Sequence, residues 1–378
     1  MPHDALENKL PHPKKVLHMV KVFRVGGLEN VIKNLAINSS QDIIPEILVL
    51  QIGGQFSHEV EEKNINVTIL NSYSRKLSSG QILKDVSLAI KKIKPDVIHC
   101  HDQASWFYGT IAGRLHGIKK ILFTKHGYVE ELSWKTIILS QFMSLLSKKI
   151  IAVSPKVKQN ISRNLKIKKN IDIIYNGVDT QCFSEPTDRR LAKKLVGVDE
   201  HAFVVGTVTR FYSIKNIEMQ IDMVERLAKV VNNFLYIIVA PLTRAGERYK
   251  KDVEDRGLSE YVWFTGFRDD IPQLLQAMDV FVLSSLSEGT SVSLLEAMAS
   301  GCIPVVSATG GTPDIIKDGQ NGFLFSISNL NEMCDKIMSC RKNAQDIERI
   351  RVKALQTASR YNVQRMIESY ETLYKLKK

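Results

Sequence analysis

Short runs rich in valine and isoleucine alternate along this sequence with stretches whose apolar residues recur at helical spacing, and the alternation occurs twice. In the first half, the strand-like runs are 15–20, 46–52, 66–70, 96–100, 120–125, 149–154 and 171–176, and the clearest helical stretches are 28–38, 81–94 and 103–116. In the second half, the runs are 203–209, 234–240, 262–267, 280–285, 303–308 and 322–325. Strands that are apolar on both faces and separated by helices predict parallel sheets covered on both sides. The predicted fold class is therefore α/β, with two doubly wound domains.

The boundary between the two predicted domains falls in a polar, turn-rich segment at 176–190 that has no clear periodicity. A length of 378 residues suits two domains, because single domains usually have about 100–200 residues. We therefore predict an N-terminal domain over 1–182, a C-terminal domain over 183–360 and a closing helix over 361–378.

Positive charge is concentrated in one part of the chain. The formal net charge is +12, and residues 133–170 contain nine Lys and Arg residues and no Asp or Glu. Within this basic region the apolar residues with helical spacing are Ile138, Phe142, Leu145 and Leu146. One interpretation is a core-facing helix with a solvated basic edge. The other is a surface that contacts anionic lipid headgroups, where each Lys or Arg contributes about 1 kcal/mol.

The sequence also indicates where the protein resides. No apolar run reaches the roughly 18 residues expected of a membrane-spanning helix. Residues 1–15 lack the apolar stretch of a secretory signal. The five cysteines are scattered and include no CxxC pair, which is typical of reduced thiols. We expect a cytoplasmic protein that associates peripherally with the inner face of the cell membrane.

A metal ion and a nucleic acid are less favoured as ligands of this chain. Residues 99–102 read HCHD, which resembles a metal-binding pattern, but neighbouring residues at a strand end point to alternating faces, so we expect no metal there. A protein that binds single-stranded nucleic acid needs aromatic residues among its positive charges. Residues 135–170 contain only Phe142, so we expect no nucleic acid partner.

Two glutamates, Glu288 and Glu296, follow the predicted strand 280–285. Ligands of doubly wound sheets bind beyond the carboxyl ends of the strands, where this loop lies. Ser293 and Glu296 match a capping box at a helix start, which would give Glu296 a structural role. Glu288 stands in a loop before Gly289, without such a role. Carboxylates that accept hydroxyl groups, beside a helix N-terminus that binds phosphate, suit a sugar nucleotide.

Seven segments in order resemble the retaining glycosyltransferases of the GT-B fold, glycosyltransferase family four. These are VGGLEN (25–30), KPDVIHCHD (94–102), FTKHG (123–127), YNGVDTQCF (175–183), VGTVTRFYSIKN (205–216), the segment 262–285 and the glutamate segment 288–316. The resemblance covers nearly the whole chain. It implies two facing Rossmann-like domains, with the closing helix packed back on the N-terminal domain.

The resemblance also implies roles for individual residues. Glu296 would bind the ribose hydroxyls and Glu288 a hydroxyl of the transferred sugar, while Arg210 and Lys215 would clamp the diphosphate without a metal. His126 would contact the donor sugar at the reaction centre. The remaining implied donor-binding residues are Gly26, Gly27, Gly266, Phe267, Gly289, Thr290, Ser291 and Val292. The catalytic set would be His126, Arg210, Lys215 and Glu288.

The activity implied by the resemblance is retaining, metal-independent transfer of a hexosyl or N-acetylhexosaminyl group. The donor would be a nucleotide sugar, expected to carry UDP, and the acceptor a lipid-linked glycan of cell-surface polysaccharide biosynthesis. Two departures from the family pattern are Asp314, where Glu is commoner, and Ala240-Pro241 in place of a Gly-rich turn. The alternatives are a sugar-nucleotide epimerase of the same fold and, less favoured, a basic nucleic-acid-binding protein.

Overall fold

The chain divides into two compact units in a computed structural model that describes residues 12–72, 75–128, 133–184 and 188–376. The first unit contains the residues up to Val153, Lys158–Ile174 and the segment from Met366, and the second contains Ser154–Val157 and Tyr175–Arg365. The division near residue 175 precedes the predicted boundary at 182/183. The reason is that Val178 hydrogen-bonds within the second unit, donating to the Tyr361 carbonyl at 2.8 Å and accepting from the Val363 amide at 2.9 Å.

The first unit contains a seven-stranded parallel sheet in the order β3-β2-β1-β4-β5-β6-β7. Its strands are β1 (Lys14–Phe23), β2 (Ile43–Gly53), β3 (Asn66–Ile69), β4 (Val97–Cys100), β5 (Lys120–Lys125), β6 (Lys149–Ala152) and β7 (Ile171–Ile173). The helices of this half are α1 (Gly27–Ile37), α2 (Gln55–Glu61), α3 (Ser79–Ile93), α4 (Gln103–Leu115), α5 (Trp134–Leu146) and α6 (Pro155–Asn164). Every strand-like run predicted in this half forms a strand.

The second unit contains a six-stranded parallel sheet in the order β10-β9-β8-β11-β12-β13. Its strands are β8 (Phe203–Val208), β9 (Phe234–Val239), β10 (Val262–Gly266), β11 (Val280–Leu283), β12 (Ile303–Ser307) and β13 (Phe323–Phe325). Its helices are α7 (Arg189–Leu195), α8 (Ile217–Ala228), α9 (Arg244–Asp255), α10 (Ile271–Ala277), α11 (Val292–Ala299), α12 (Thr312–Ile315), α13 (Leu330–Ser339) and α14 (Ala344–Arg360). Short 3-10 turns lie at Ser213–Lys215 and Ser259–Tyr261.

Strand β11 shows why the apolar runs predicted sheets covered on both faces. Val280 and Val282 belong to one hydrophobic cluster, and Phe281 and Leu283 belong to a second cluster on the opposite face. All four side chains are buried. Because successive side chains of a strand point to opposite faces, a continuous apolar run requires packing on both sides of the sheet. The prediction of a doubly covered parallel sheet is confirmed.

Helix α15 (Val363–Lys375) belongs to the first unit from Met366 onward, as the predicted packing of the closing helix requires. Its Tyr370 and Tyr374 side chains are buried. The Glu371 carboxylate accepts hydrogen bonds of 2.6 Å from both the amide and the hydroxyl of Ser40. The first unit is therefore built partly from a segment that follows the second unit in sequence.

Helix α5 does not direct its apolar stripe toward the core. Of the four predicted stripe residues, Ile138, Phe142 and Leu145 are 55%, 54% and 77% exposed and Leu146 is partly buried, while Trp134 on the same helix is 67% exposed. The helix instead buries Ser140, Met143 and Ser144. The interpretation of a core-facing helix is therefore wrong, because periodicity identifies a stripe and not the side on which it lies. Within the described residues, no helix is both long enough and apolar enough to cross a membrane.

Candidate active site

The loop between β11 and α11 in the second unit positions Glu288 beside a lysine. The Glu288 carboxylate pairs with the Nζ atom of Lys215 through its Oε1 atom, which also accepts a hydrogen bond of 2.7 Å from the Ser285 hydroxyl. Both charged side chains are largely withdrawn from solvent. Opposite charges so placed hold each other in one orientation, because little water is available to replace either partner. The structure thus brings two of the predicted catalytic residues into direct contact.

The loop that carries Lys215 is fastened to the end of β11. The Ser284 hydroxyl lies 2.9 Å from the carbonyl oxygens of both Lys215 and Asn216, and the Leu286 amide donates to the Ile214 carbonyl at 2.8 Å. Arg210 lies earlier in this same loop, after β8. Both predicted phosphate-clamp residues therefore lie at the carboxyl end of β8, next to β11 in the sheet.

The backbone of the Glu288 loop rests on two glycines that were not predicted as site residues. A Cβ atom on Gly310 would lie 1.8 Å from the Glu288 carbonyl oxygen, and one on Gly311 would lie 2.0 Å from that of Gly289. The Gly311 amide donates to the Glu288 carbonyl at 3.2 Å. The motif TGGT at 309–312 was visible in the sequence, but its closeness to Glu288 depends on how the ends of β11 and β12 meet.

The start of α11 corrects the predicted helix cap. Ser291 is the N-cap residue, and its hydroxyl accepts from the Leu294 amide at 3.3 Å, while the helix begins at Val292. The predicted capping box of Ser293 and Glu296 is therefore wrong. Glu296 lies one turn into the helix and is buried. Glu296 does not cap the helix, so the structural alternative to ligand binding that was predicted for it, a capping role, does not hold.

The other predicted donor-binding residues follow strands, as expected. Thr290 lies in the Glu288 loop. Its carbonyl accepts a hydrogen bond of 3.0 Å from the side-chain amide of Asn176, a residue that was not predicted and that lies outside this loop. Gly266 ends the edge strand β10 with a φ of +73°, and the exposed Phe267 follows it. In the first unit, Gly26 and Gly27 follow β1 at the start of α1. Their roles stay predictions.

Asp314 is one of the two predicted departures from the family pattern. It lies in α12, and no described residue donates a hydrogen bond to its buried Oδ2 atom. Burial raises the pKa of this carboxyl, against the smaller opposing effect of Lys317 and Lys156. The shorter side chain thus places a partly desolvated acid after the TGGT turn.

His126 lies at the end of β5 in contact with a cluster of histidines. His18 on β1 is opposite His99 in the sheet register, and His101 follows β4. The Nδ1 atom of His101 lies 3.1 Å from Nε2 of His126, and the Nε2 atom of His101 lies 3.1 Å from Nδ1 of His18. Burial lowers the pKa of His18 and His126 to about 3 and also lowers that of His99 and His101, so all four rings are neutral near pH 7.

This histidine cluster bears on the interpretation of the HCHD motif. Each of His18, His99 and His101 has a nitrogen within 4.8 Å of the others, which is close enough to share an ion. The absence of a metal therefore stays a prediction. The sequence argument missed that His99 on β4 and His101 just after it lie two residues apart and meet on one side, where His18 on the neighbouring strand joins them.

Comparisons with solved structures identify the class of fold. HepE from Anabaena, solved with UDP, superposes with a TM-score of 0.82 at 23% identity, covering 96% of this chain and 100% of that one. A glycosyltransferase from Rickettsia africae superposes with a TM-score of 0.82 at 21% identity, covering 96% and 98%. Two Rossmann-like parallel sheets with these neighbours define the GT-B fold.

Sequence comparisons identify the family. Residues 25–181 match the family described as "Glycosyltransferase Family 4", and residues 188–356 match "Glycosyl transferases group 1". The chain belongs to the group 1 glycosyltransferases of glycosyltransferase family four.

Two curated relatives illustrate the similarity. The first is the UDP-Gal:alpha-D-GlcNAc-diphosphoundecaprenol alpha-1,3-galactosyltransferase of Escherichia coli, which is 27% identical over 66% of this chain and 67% of its own length. The second is the putative glycosyltransferase EpsD of Bacillus subtilis, 25% identical over 78% and 80%.

Proposed function

We propose that this protein transfers a hexosyl or N-acetylhexosaminyl group from a UDP-sugar to a lipid-linked glycan in cell-surface polysaccharide biosynthesis. The observation that carries the proposal is the Lys215–Glu288 pair at the carboxyl end of the sheet, directly before the capped start of α11. A cation, a carboxylate and the N-terminus of a helix together suit a sugar joined to a diphosphate. The E. coli relative's name, which gives a UDP-linked donor and a diphosphoundecaprenol acceptor, supports the substrate classes.

In the proposed reaction the protein orients the substrates and stabilises charge. Lys215 and Arg210 neutralise the diphosphate as negative charge develops on the leaving oxygen, which lowers the barrier because the interaction strengthens in the transition state. Glu288 holds a hydroxyl of the transferred sugar and also orients Lys215. The reaction proceeds with retention and without a metal, and the departing phosphate takes the proton of the incoming hydroxyl.

The donor is tested with a thermal-shift panel of UDP-, GDP-, ADP- and dTDP-sugars. We expect a UDP-sugar to raise the Tm, because a ligand that binds only the folded state stabilises it by an amount that grows with the logarithm of the ratio of ligand concentration to Kd. At a concentration of about 100 times Kd the stabilisation is about 2.7 kcal/mol. A shift confined to another base would overturn the choice of UDP.

The epimerase alternative is separated by incubating the protein with the bound donor alone. A transferase leaves the sugar of the donor unchanged in the absence of an acceptor, whereas an epimerase produces a second sugar nucleotide. Chromatography of the nucleotide sugars distinguishes the two outcomes. A new sugar nucleotide formed without acceptor would overturn the transferase proposal.

We propose that the α5 surface, formed by Trp134, Ile138, Phe142 and Leu145 with the exposed Lys135 and Lys148, binds the anionic face of the membrane. Four large apolar side chains lie on one helix face in the basic region 133–170. Such a face enters the headgroup boundary while cations contact anionic lipids. Burial of each large apolar side chain contributes about 1.5–3 kcal/mol.

Replacing Phe142 and Leu145 with serine is expected to weaken binding to phosphatidylglycerol-containing vesicles by at least about tenfold, because two exposed apolar side chains no longer enter the bilayer. Sedimentation with vesicles measures the effect. The matched control is Leu195→Ser, which removes a side chain that is 75% exposed on α7 in the second unit. Equal binding of both variants and the parent would contradict the membrane proposal.

A further inference from the structure

Three histidines of the first unit form a continuous chain of imidazole contacts. His126 Nε2 meets His101 Nδ1 at 3.1 Å, and His101 Nε2 meets His18 Nδ1 at 3.1 Å. The two outer nitrogens of the chain are His126 Nδ1 and His18 Nε2, and neither has a hydrogen-bond partner among the described residues. The middle ring thus has both nitrogens engaged, and each terminal ring has one nitrogen engaged.

The protons of such a chain can be arranged in only two ways. A neutral imidazole carries one N–H and one bare nitrogen, so each contact needs a donor on one ring and an acceptor on the next. The orientation of one ring therefore dictates that of all three. Either His126 Nδ1 carries a proton and His18 Nε2 is bare, or His18 Nε2 carries a proton and His126 Nδ1 is bare.

The surroundings of the two ends favour the first arrangement. Both outer nitrogens are buried, but the two residues differ, because His18 is buried as a whole whereas part of His126 is exposed, so that only the His126 end can be approached from solvent. An N–H group buried without a partner is rarer in proteins than a buried acceptor in the same condition. The proton is therefore better placed at the His126 end, where a substrate oxygen can accept it, and the bare nitrogen at the His18 end.

We propose that His101 and His18 are positioning residues that hold His126 in its Nδ1–H tautomer, so that it presents a neutral hydrogen-bond donor to the bound donor sugar or its leaving oxygen. The substrate contact rests on the proposed function, whereas the tautomer does not. A neutral donor can hydrogen-bond to a substrate oxygen without adding a positive charge. The lowered pKa values of the cluster support the neutral state.

His99 lies outside this chain although its ring is 4.0 Å from that of His101, measured between centroids. Its Nδ1 atom contacts the Tyr374 hydroxyl at 2.7 Å and its Nε2 atom contacts the Thr124 hydroxyl at 2.8 Å. A metal shared by His18, His99 and His101 would have to displace one of these hydroxyls and break one of the two imidazole contacts of His101. The hydrogen-bond chain needs neither change.

The test is imidazole nitrogen NMR on the full-length protein labelled with ¹⁵N-histidine. The chain has nine histidines, and single substitutions assign the signals of interest. We expect His126, His101 and His18 each to be protonated on Nδ1. A His126 signal protonated on Nε2 would overturn the proposal.

Two variants of His101 provide a matched comparison. In His101→Asn the amide nitrogen can take the place of the ring Nδ1 and still donate to His126, whereas in His101→Gln the amide reaches toward His18 instead. We expect His101→Asn to keep the Nδ1–H tautomer of His126 and His101→Gln to shift the tautomer ratio by about tenfold, as the loss of one net hydrogen bond implies. Identical tautomers in both folded variants would overturn the positioning role. If both variants fail to fold, His18→Asn against His18→Leu repeats the comparison one ring further along.

Addition of UDP-galactose or UDP-glucose tests the substrate contact. We expect the His126 Nδ1 signal to move on binding in the parent and in His101→Asn, and to move less in His101→Gln. If these probes bind without moving that signal, the substrate contact is wrong although the proposed function stands. If neither probe binds, the UDP donor is wrong, and the tautomers still decide the role of His101. Stoichiometric Zn²⁺ binding that moves the His18, His99 and His101 signals would overturn the chain in favour of a metal site.

Discussion

Replacing Lys215 with alanine is expected to lower kcat/KM for the donor by at least about a hundredfold, comparable to the loss of one preorganised charge-stabilising group. The substitution removes a cation proposed to neutralise the diphosphate. It also leaves the Glu288 carboxylate, which is mostly buried, without its charged partner. Removal of one partner of a buried pair is strongly destabilising to that site, because the remaining charge is poorly solvated. Steady-state kinetics with the donor from the panel measures the first effect, and calorimetry with UDP measures the second.

The matched control for this variant is Lys336→Ala. Lys336 pairs with Asp318 at 2.8 Å on the exposed surface of the same unit. Exposed pairs contribute only about 0–1 kcal/mol, so donor binding and kcat should stay at the parent values. If a folded Lys215→Ala protein kept the activity of the parent, the Lys215–Glu288 pair would no longer support the proposed function.

Replacing Gly310 with alanine is expected to displace the Glu288 loop and abolish tight donor binding. The backbone at Gly310 has a φ of +56°, and the added Cβ atom would fall 1.8 Å from the Glu288 carbonyl oxygen. A backbone atom cannot rotate away as a side chain can, so the loop must move. Strain from the positive φ alone is about 1–3 kcal/mol. Thermal denaturation and UDP titration together separate loss of stability from loss of the site.

Gly257→Ala isolates the contribution of backbone strain. Gly257 has a φ of +68°, but a Cβ atom there meets nothing within 4 Å. Its substitution should lower the Tm by a few degrees, since about 1 kcal/mol corresponds to about 2–4 °C in a unit of this size. Donor binding should be unaffected. Similar effects of the two substitutions on UDP affinity would show that the contact between Gly310 and Glu288 is unimportant.

The sequence predicted the architecture well because a strand that is buried on both faces has a continuous run of apolar residues, which can be recognised directly. The side chains from Val280 to Leu283 can all be buried only if other elements pack on both faces of the sheet, and the same holds for the other central strands. Local boundaries were less secure. Ser291 and Ser293 are both competent to cap a helix, and which of them does so is decided by the path of the loop, which Asn176 and Gly311 hold in place.

Contacts between distant segments were beyond reach of the sequence argument. The histidine chain depends on the register of β1 against β4, which a single sequence does not specify. The direction of the α5 stripe has the same origin, because an apolar face has one periodicity whether it meets a core or a membrane. Glu288 was identified as a site residue from the sequence, but its pairing with Lys215 emerged only when the ends of β8 and β11 were brought together.

Helix α15 has a consequence for biosynthesis. The ribosome produces all seven strands of the first sheet before it produces the second unit, yet Tyr370, Glu371 and Tyr374 complete the packing of that sheet only afterwards. Domains usually fold in order as they emerge during translation. Here the first unit lacks the residues of α15 that complete its packing until translation has passed through the second unit. In a nascent chain, the apolar surface that Tyr370 and Tyr374 cover therefore stays exposed until the second unit has been synthesised.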